Sequence, residues 1–358
     1  MKKSLCELVL VYYPRIFEVE DFLSTSIAHC VFNSFLSFTA IMLNIVSVLA
    51  IRKTPSLPRT LKTLLLSLAV SDVGVGFLVQ PFHTSLLVKR IQQMIPNCNT
   101  YGIFSIISIL FGTASFLGVV AVSVDRFLAI HLHLRYQELV THQRVVAVVI
   151  SIWVLSTFPS LAMLWTPSST PTLFLCLLVV GLLLTTMVYI RIYLAVRRHK
   201  TQIQVLQVQQ VKQASEISNF ASLMKSAVGI FHVYLVFPFC YLPYVIGLAV
   251  FEIAGSNVAL KKLHISFTTI AFLNSSLNPV IYCWKMRHIR HAVMNILRKM
   301  FRRWSSASQE TPALEGNTMP LFIGTVTFKR HKRMTTTGDS SRYRKASEIA
   351  FKPSNVIL

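Results

Sequence analysis

The strings DRF at Asp125–Phe127 and NPVIY at Asn278–Tyr282 are the strongest indication of the fold, because each brings polar groups to the end of a long apolar run. Such groups are costly inside a membrane and are kept where a bundle interior gives them partners. The chain of 358 residues is 53% hydrophobic and only 13% charged. A soluble domain carries about 25% charged residues. Composition and the two strings together indicate a membrane protein that crosses the bilayer several times.

Seven apolar runs are long enough to cross a membrane, which takes roughly 20 mostly apolar residues. The predicted spans are, in order, Ser26–Ile51, Leu61–Val88, Tyr101–Ile130, Val145–Trp165, Thr172–Val196, Ala221–Phe251 and Leu260–Trp284. Spans 4 and 5 are separated only by the proline- and serine-rich stretch 166–171, which is typical of a loop. We therefore predict an all-α membrane protein, a seven-transmembrane helix bundle over residues 26–284.

The formal net charge of +22 would suggest a nucleic-acid partner if the protein were soluble. Here the Lys and Arg residues collect in alternate loops and in the C-terminal tail. The richer loops contain Arg52, Lys53, Arg59, Lys62, Arg135, Arg144, Arg197, Arg198, Lys200 and Lys212. Because basic loops stay in the cytoplasm, we predict an extracellular N-terminus, a cytoplasmic C-terminus and no nucleic-acid partner.

In order and spacing, the two strings resemble the DRY and NPxxY motifs of class A (rhodopsin-like) G-protein-coupled receptors. The resemblance covers about residues 32–301 and includes Asn44, Asp72 and Trp153. Within the class, residues 134–141 and 191–198 look nearest to adenosine and melanocortin-type receptors. The resemblance implies a plasma-membrane receptor, not an enzyme, that binds an extracellular small-molecule or lipid ligand. It also implies activation of heterotrimeric G proteins through outward movement of span 6.

Several residues of this sequence match the family's switch positions. In the family, the acid at Asp125 holds Arg126 in the inactive state, and the arginine extends toward the tyrosine at Tyr189 in the active state. The other matching positions are Asn278, Pro279 and Tyr282 in span 7, and Phe237, Tyr241 and Pro243 in span 6. Tyr241 stands in the place of the family's tryptophan beneath the ligand. A proline kink in span 6 would form the hinge.

Asp72 lies in the middle of span 2, where an unpaired carboxylate costs several kcal/mol, so it should face the interior and meet partners. Asn274 and Asn278 are four residues apart and share one helix face. The resemblance implies an allosteric sodium ion held by Asp72, Ser115, Asn274 and Asn278, whose oxygens suit a hard cation. A protonated Asp72 hydrogen-bonded to Ser or Asn is the alternative. No covalent cofactor is expected.

The residues expected around the ligand are mostly apolar and aromatic, with a few polar groups. They are Phe82, His83, Ser108, Ile109, Gly112, Tyr241, Tyr244, Val245, Leu248, His264, Thr268 and Phe272. Ser108 stands where amine receptors carry Asp, and Phe272 stands where opsins carry Lys. Leu248 stands where adenosine receptors carry Asn. An amine, retinal or adenosine is therefore not expected as the ligand of this chain. A lipid or a small apolar molecule is expected instead.

The family's disulfide is also missing from the pattern. Tyr101 falls near the usual position of its cysteine at the start of span 3, and the stretch 166–171 contains no cysteine. Two alternatives stay open for the whole chain. One is a divergent orphan receptor with constitutive or no G-protein coupling. The other is a membrane transporter, for which internal repeats or broken helices would be needed.

The two ends of the chain are predicted to lie outside the bundle. Residues 1–25 would form a short extracellular segment. Residues 285–304 repeat apolar side chains at helical spacing between basic ones, which predicts an amphipathic eighth helix on anionic membrane lipid. Residues 305–358 are basic and rich in Ser and Thr, which indicates a disordered cytoplasmic tail. Receptor kinases and arrestin are the candidate partners of this tail.

Overall fold

The computed structural model describes residues 19–94, 97–132, 135–166, 169–206, 236–255 and 257–309. Spans 1, 3, 4 and 5 are the helices Val19–Lys53, Cys98–His131, His142–Trp165 and Thr170–Leu206. Span 2 consists of Arg59–Gly74, the π-helical turn Val75–Val79, and Gln80–Ile91. Spans 6 and 7 are Val236–Ala254 and Val258–Lys285, and a basic helix, Arg287–Gln309, follows them. A short helix, Tyr136–Leu139, connects spans 3 and 4.

Spans 1 to 6 are long and apolar enough to cross a membrane. Span 7 has the length but is less apolar, because it carries Lys261, Lys262, Asn274 and Asn278. The predicted all-α fold with seven spans is confirmed. Every regular element among the described residues is helical.

The helices extend beyond the apolar runs from which the spans were predicted. Span 1 begins at Val19, seven residues before Ser26, and span 5 continues to Leu206, ten residues past Val196. Apolar length reports the thickness of the membrane, whereas backbone hydrogen bonding continues into polar residues on either side. The first part of the predicted sixth span, residues 221–235, lies outside the described residues.

Packing places span 3 at the centre, against spans 2, 4 and 5, while span 1 packs against spans 2 and 7. The polarity of the bundle is inverted relative to a soluble protein. Asp72 is fully buried, whereas Phe158 exposes 72% of its surface and Leu183 64%. Apolar side chains that face outward along a bundle of this length are suited to lipid.

Local chemistry sets several helix ends. Thr141 Oγ1 accepts a hydrogen bond from the Arg144 N–H at the start of span 4, and Asn257 Oδ1 accepts one from the Leu260 N–H at the start of span 7. Span 6 ends before Gly255, whose φ of 73° lies in the left-handed region that glycine tolerates best. These signals fix where spans 4 and 7 begin and where span 6 ends.

Candidate functional site

A buried polar cluster occupies the middle of the bundle around Asp72. Ser115 Oγ of span 3 donates to Asp72 Oδ1 at 2.6 Å, and Asn278 Nδ2 of span 7 donates to Oδ2 at 2.9 Å. Asn44 Nδ2 of span 1 donates to the Ser275 carbonyl at 2.9 Å. Four spans therefore meet through hydrogen bonds at one level of the membrane.

The same cluster fits a hard cation by its chemistry. Asp72 supplies carboxylate oxygens, Ser115 a hydroxyl, and Asn274 and Asn278 amide oxygens, which are the donors such ions take. The Asn274 side chain is buried one turn before Asn278, and its Nδ2 has no hydrogen-bond partner among the described residues. The unmet group is an N–H donor, which suits a water molecule, whereas a cation would take the amide oxygen of Asn274.

Asp125 and Arg126 form a closed lock at one end of the bundle, here called the Arg126 end. Arg126 Nε donates to Asp125 Oδ2 at 2.9 Å, and Nη2 donates to the same oxygen. Both side chains are buried, Arg126 with 8% of its surface exposed. Removing one partner of a buried ion pair is costly, because the other charge then stays buried without compensation.

Tyr136 completes the lock from the short connecting helix. Its hydroxyl donates to Asp125 Oδ1 at 2.7 Å, and Thr60 Oγ1 of span 2 lies 3.4 Å from the same hydroxyl. Burial and the hydrogen bond to Asp125 raise the pKa of Tyr136 to about 12. The phenol therefore stays a donor at neutral pH. Sequence analysis did not single out this residue, because its role depends on where the connecting loop folds back.

The two tyrosines predicted as switch partners, Tyr189 and Tyr282, make no hydrogen bond to Arg126 in the described structure. The Tyr189 hydroxyl lies 3.1 Å from Ser123 Oγ, which itself donates to a backbone carbonyl. The Tyr282 hydroxyl is buried and has no hydrogen-bond partner among the described residues. The structure thus brings Arg126 to Asp125, whereas the Tyr189 hydroxyl lies beside Ser123.

An aromatic cluster links spans 3, 5 and 6. The Phe116 ring centroid lies 5.0 Å from that of Phe237 and 5.2 Å from that of Tyr241, and the last two are 4.9 Å apart. Gly181 of span 5 makes room for Phe116, because a Cβ at that position would lie 2.3 Å from the Phe116 ring. Pro243 follows Tyr241 by two residues, so the proline of span 6 lies directly beside the cluster.

A cavity of about 130 Å³ lies above this cluster, toward the other end of the bundle, here called the His83 end. Nine residues of the predicted set line it: His83, Ser108, Ile109, Gly112, Tyr241, Tyr244, His264, Thr268 and Phe272. Phe82, Val245 and Leu248 do not. Phe82 packs its ring edge against Phe104 at 5.7 Å, and the other two are buried in helix packing.

Seven lining residues were missed. They are Val75, Val79, Phe104, Phe174, Ile265, Ala271 and Ser275. Helical spacing could have found some of them, since Val75 and Val79 precede His83 by eight and four residues, and Ser275 follows Thr268 by seven. The approach of Phe174 to the cavity depends on the very short connection between spans 4 and 5, and no local pattern predicts it.

The cavity is mainly apolar and has no acidic residue in its lining. The His83 ring stacks on Phe104 at 5.7 Å and meets the edge of Phe272 at 5.6 Å. Ser108 Oγ is buried and makes no hydrogen bond within the described part of the chain. Apolar walls with few polar groups suit a compact, uncharged molecule.

A contact between Arg90 and Tyr101 joins spans 2 and 3 at the His83 end. Arg90 Nε donates to the Tyr101 hydroxyl at 2.8 Å, and the guanidinium lies 5.6 Å from the ring centroid. Both side chains are buried. Tyr101 lies near the position expected for the family's cysteine. At that position a hydrogen bond and a cation–π contact connect the start of span 3 to span 2.

Comparison with known proteins covers the same region. A family model described as 7 transmembrane receptor (rhodopsin family) matches residues 43–171 and 163–282. The adenosine receptor A2a of Canis lupus familiaris is 25% identical over 292 residues, which are 72% of this chain and 69% of the relative. The adenosine receptor A2b of Gallus gallus is 25% identical over 277 residues, 66% of this chain and 78% of the relative. A D(2)-like dopamine receptor of Takifugu rubripes is 28% identical over 201 residues, 51% of this chain and 42% of the relative.

Proposed function

The chain belongs to the rhodopsin family of seven-transmembrane receptors, and from that premise we propose that it binds a compact, uncharged extracellular ligand and activates a heterotrimeric G protein. As a member of a receptor family, it is a multi-pass membrane protein and not an enzyme. The ligand would bind in the cavity at the His83 end. The G protein would bind at the Arg126 end.

One observation carries this proposal. Tyr241 lines the cavity and also packs in the aromatic cluster with Phe116 and Phe237. A ligand that touches Tyr241 would shift the packing of span 6 beside Pro243. Close-packed interfaces switch between discrete arrangements rather than deforming smoothly, so a small displacement there would move the far end of the helix outward. The shift is limited by the ligand's differential affinity for the two states.

The proposed orientation follows the distribution of basic residues. The Arg126 end would face the cytoplasm and the N-terminus would lie outside the cell, at the plasma membrane. The Ser- and Thr-rich tail, residues 310–358, lies outside the described residues. Receptor kinases and arrestin would act on that tail.

Adenosine and dopamine, which appear in the names of these relatives, are not the proposed ligands. Ser108 offers a hydroxyl where amine receptors place an acid, so the ammonium group of dopamine would enter without a counter-charge. Leu248, which takes the place of the adenosine receptors' asparagine, is buried in helix packing and contributes no amide. The ligand should instead carry one hydrogen-bonding group within reach of Ser108 on an otherwise apolar frame.

The decisive experiment compares the wild-type chain with Arg126→Ala in cells, by cyclic AMP and calcium output against a panel of purines, lipids, peptides and amines. A ligand response that is lost in the variant, with ligand binding and surface expression retained, supports G-protein coupling through Arg126. An undiminished response would show that Arg126 does not couple. Silence of the wild type across the panel would favour a receptor that does not couple.

A sodium ion at Asp72 is the proposed allosteric ligand, held by Asp72, Ser115, Asn274 and Asn278. A cation bound there would neutralise the Asp72 carboxylate and would stabilise the present arrangement of spans 2, 3 and 7. Asp72→Asn keeps the size of the side chain and removes its charge. Agonist affinity of the wild type should fall as sodium replaces potassium, and that dependence should vanish in the variant. Sodium dependence retained in Asp72→Asn would place the ion elsewhere.

A further inference from the structure

We propose that a second cavity, between the end of span 1 and the basic helix, binds an anion that carries two or more phosphate groups. The cavity has a volume of about 360 Å³. Its polar lining consists chiefly of Lys53 at the end of span 1, Ser56 in the loop that follows, and His288, His291, Asn295 and Lys299 of the basic helix. It is separate from the cavity at the His83 end and from the Asp125–Arg126 lock.

The helical register builds this site. His288, His291, Asn295 and Lys299 are spaced by three, four and four residues, so they share one helix face. Two buried side chains, Ile289 and Ile296, anchor the helix against the bundle and fix the direction of that face. The packing of the basic helix on span 1 then holds the four side chains opposite Lys53.

Two lysines, Lys53 and Lys299, give the site a positive charge that no acidic residue of its lining offsets. The basic helix contains no Asp or Glu between Arg287 and Gln309, and the cavity lining contains none either. Lys53, His288, His291 and Lys299 make no ion pair or side-chain hydrogen bond within the described residues. Lys53 and Lys299 are both exposed to solvent, and an anion bound between them would offset the repulsion between their charges.

Phosphate suits the lining better than carboxylate does. Donors come from two elements on opposite walls of a roomy cavity, and an ammonium group, an imidazole and an amide each offer N–H groups. Phosphate presents three strong acceptor oxygens with a charge near −2 at neutral pH. Several phosphates on one small ring could reach both walls at once, whereas one carboxylate could reach only one.

Two sources carry this chemistry: the headgroup of a phosphoinositide lipid and a soluble inositol phosphate. Lys53 lies in the last turn of span 1, where the chain leaves the membrane. The basic helix also exposes Leu297 and Phe301, which suit an interfacial helix on lipid. These two features bring the cavity within reach of lipid headgroups. The lipid and the soluble inositol phosphate are tested in separate arms of the experiment.

The test uses the purified full-length chain and two double variants with equal loss of charge. Lys53→Gln with Lys299→Gln removes both lysines from the cavity. Arg290→Gln with Arg298→Gln removes two exposed cations of the same helix that do not line it. Binding is measured by native mass spectrometry and thermophoresis, with inositol trisphosphate in detergent and with phosphatidylinositol bisphosphate in phosphatidylcholine nanodiscs.

We expect at least one probe to bind the wild type, and the lysine variant to bind it about tenfold more weakly or worse, as two nearby cations are lost. The arginine variant should change affinity by no more than about threefold. Binding in nanodiscs alone assigns the lipid source, and binding in detergent alone or in both assigns the soluble ring. Failure of both probes, or equal loss in the two double variants, overturns the proposal. A third variant, His291→Glu, puts a negative charge in the cavity and should abolish binding. Because binding is read directly, the result does not depend on G-protein coupling.

Discussion

The Arg126 end and the His83 end of the bundle treat their polar groups in opposite ways. Asp125, Arg126 and Tyr136 satisfy one another within a single turn of span 3 and the loop that follows it. At the His83 end, Ser108 directs a buried hydroxyl toward a cavity with no partner in the described structure. A satisfied network holds one state, whereas an unsatisfied group next to a cavity is ready for a ligand.

A layer of hydrogen bonds and aromatic contacts lies between the two ends. Asp72 and its partners tie spans 2, 3 and 7 together, and Ser115 is followed directly by Phe116 of the aromatic cluster. Tyr241 is the one member of that cluster that also reaches the cavity. Loss of the lock should therefore imitate what a ligand does from the other side.

The largest effect is expected from Asp125→Ala. The change leaves Arg126 buried without its counter-charge, which costs the closed state on the order of 3 kcal/mol. Ligand-free nucleotide exchange on a reconstituted G protein should rise by about a hundredfold, or until the open state saturates. Glu138→Ala removes an exposed acid from the same connecting helix and should change exchange less than twofold or so. Equal exchange in the two variants would show that the ion pair does not hold the closed state.

Filling the cavity should have a large effect on binding and almost none on folding. A Cβ at Gly112 would meet no atom within 4 Å, so Gly112→Leu extends into open space. Affinity for an agonist found in the panel should fall at least about tenfold, because the side chain takes volume that the ligand needs. The thermal midpoint should hold or rise, since glycine within a helix costs roughly 0.5–1 kcal/mol relative to alanine.

Gly181→Ala is the matched control for that experiment. Its Cβ would lie 2.3 Å from the Phe116 ring, and overpacking of this kind costs about 1–3 kcal/mol. The thermal midpoint of this variant should therefore fall, by the same thermal-shift assay in lipid. If Gly112→Leu is as destabilised as Gly181→Ala, or binds the agonist normally, the cavity is not the ligand site.

The smallest effect is expected from Tyr136→Phe. The ion pair remains and one hydrogen bond to Asp125 is lost, which costs about 1 kcal/mol. Ligand-free exchange should rise about fivefold, well below the effect of Asp125→Ala. The contact should be insensitive to pH near neutrality: because the pKa of Tyr136 is raised to about 12, its contribution is complete below about pH 10 and declines only as pH rises toward that value. Tyr193→Phe, at an exposed tyrosine of span 5, should change nothing, and a similar rise there would contradict the assignment.

The hydrogen-bond partners of Tyr136 and Tyr101 could not be predicted from the sequence. Both residues were visible in the sequence, one in the loop after span 3 and the other near the missing cysteine. Their partners, Asp125 and Arg90, are 11 residues away along the chain in each case. Neither pair follows a helical period, because a turn intervenes, so only the folded chain could bring them together.

The set around Asp72 was easier to foresee, for a physical reason. An ionisable group deep in an apolar run must have partners, and few other polar residues lie at the same depth of the other runs. Ser115 and Asn278 do contact Asp72. The predicted lining of the cavity was less complete, because side-chain direction also depends on the π-helical turn Val75–Val79, which shifts helical phase within span 2.

The amino-acid sequence is enough to predict the bundle of seven spans and the depth of its polar residues, because hydrophobic length and the cost of buried charge are properties of the chain alone. The folded chain was needed to show that Arg126 binds Asp125 rather than Tyr189, that Tyr136 donates to Asp125, and that Lys53 and Lys299 line one cavity. Those contacts join residues whose distance is set by turns and by helix packing. No local periodicity encodes them.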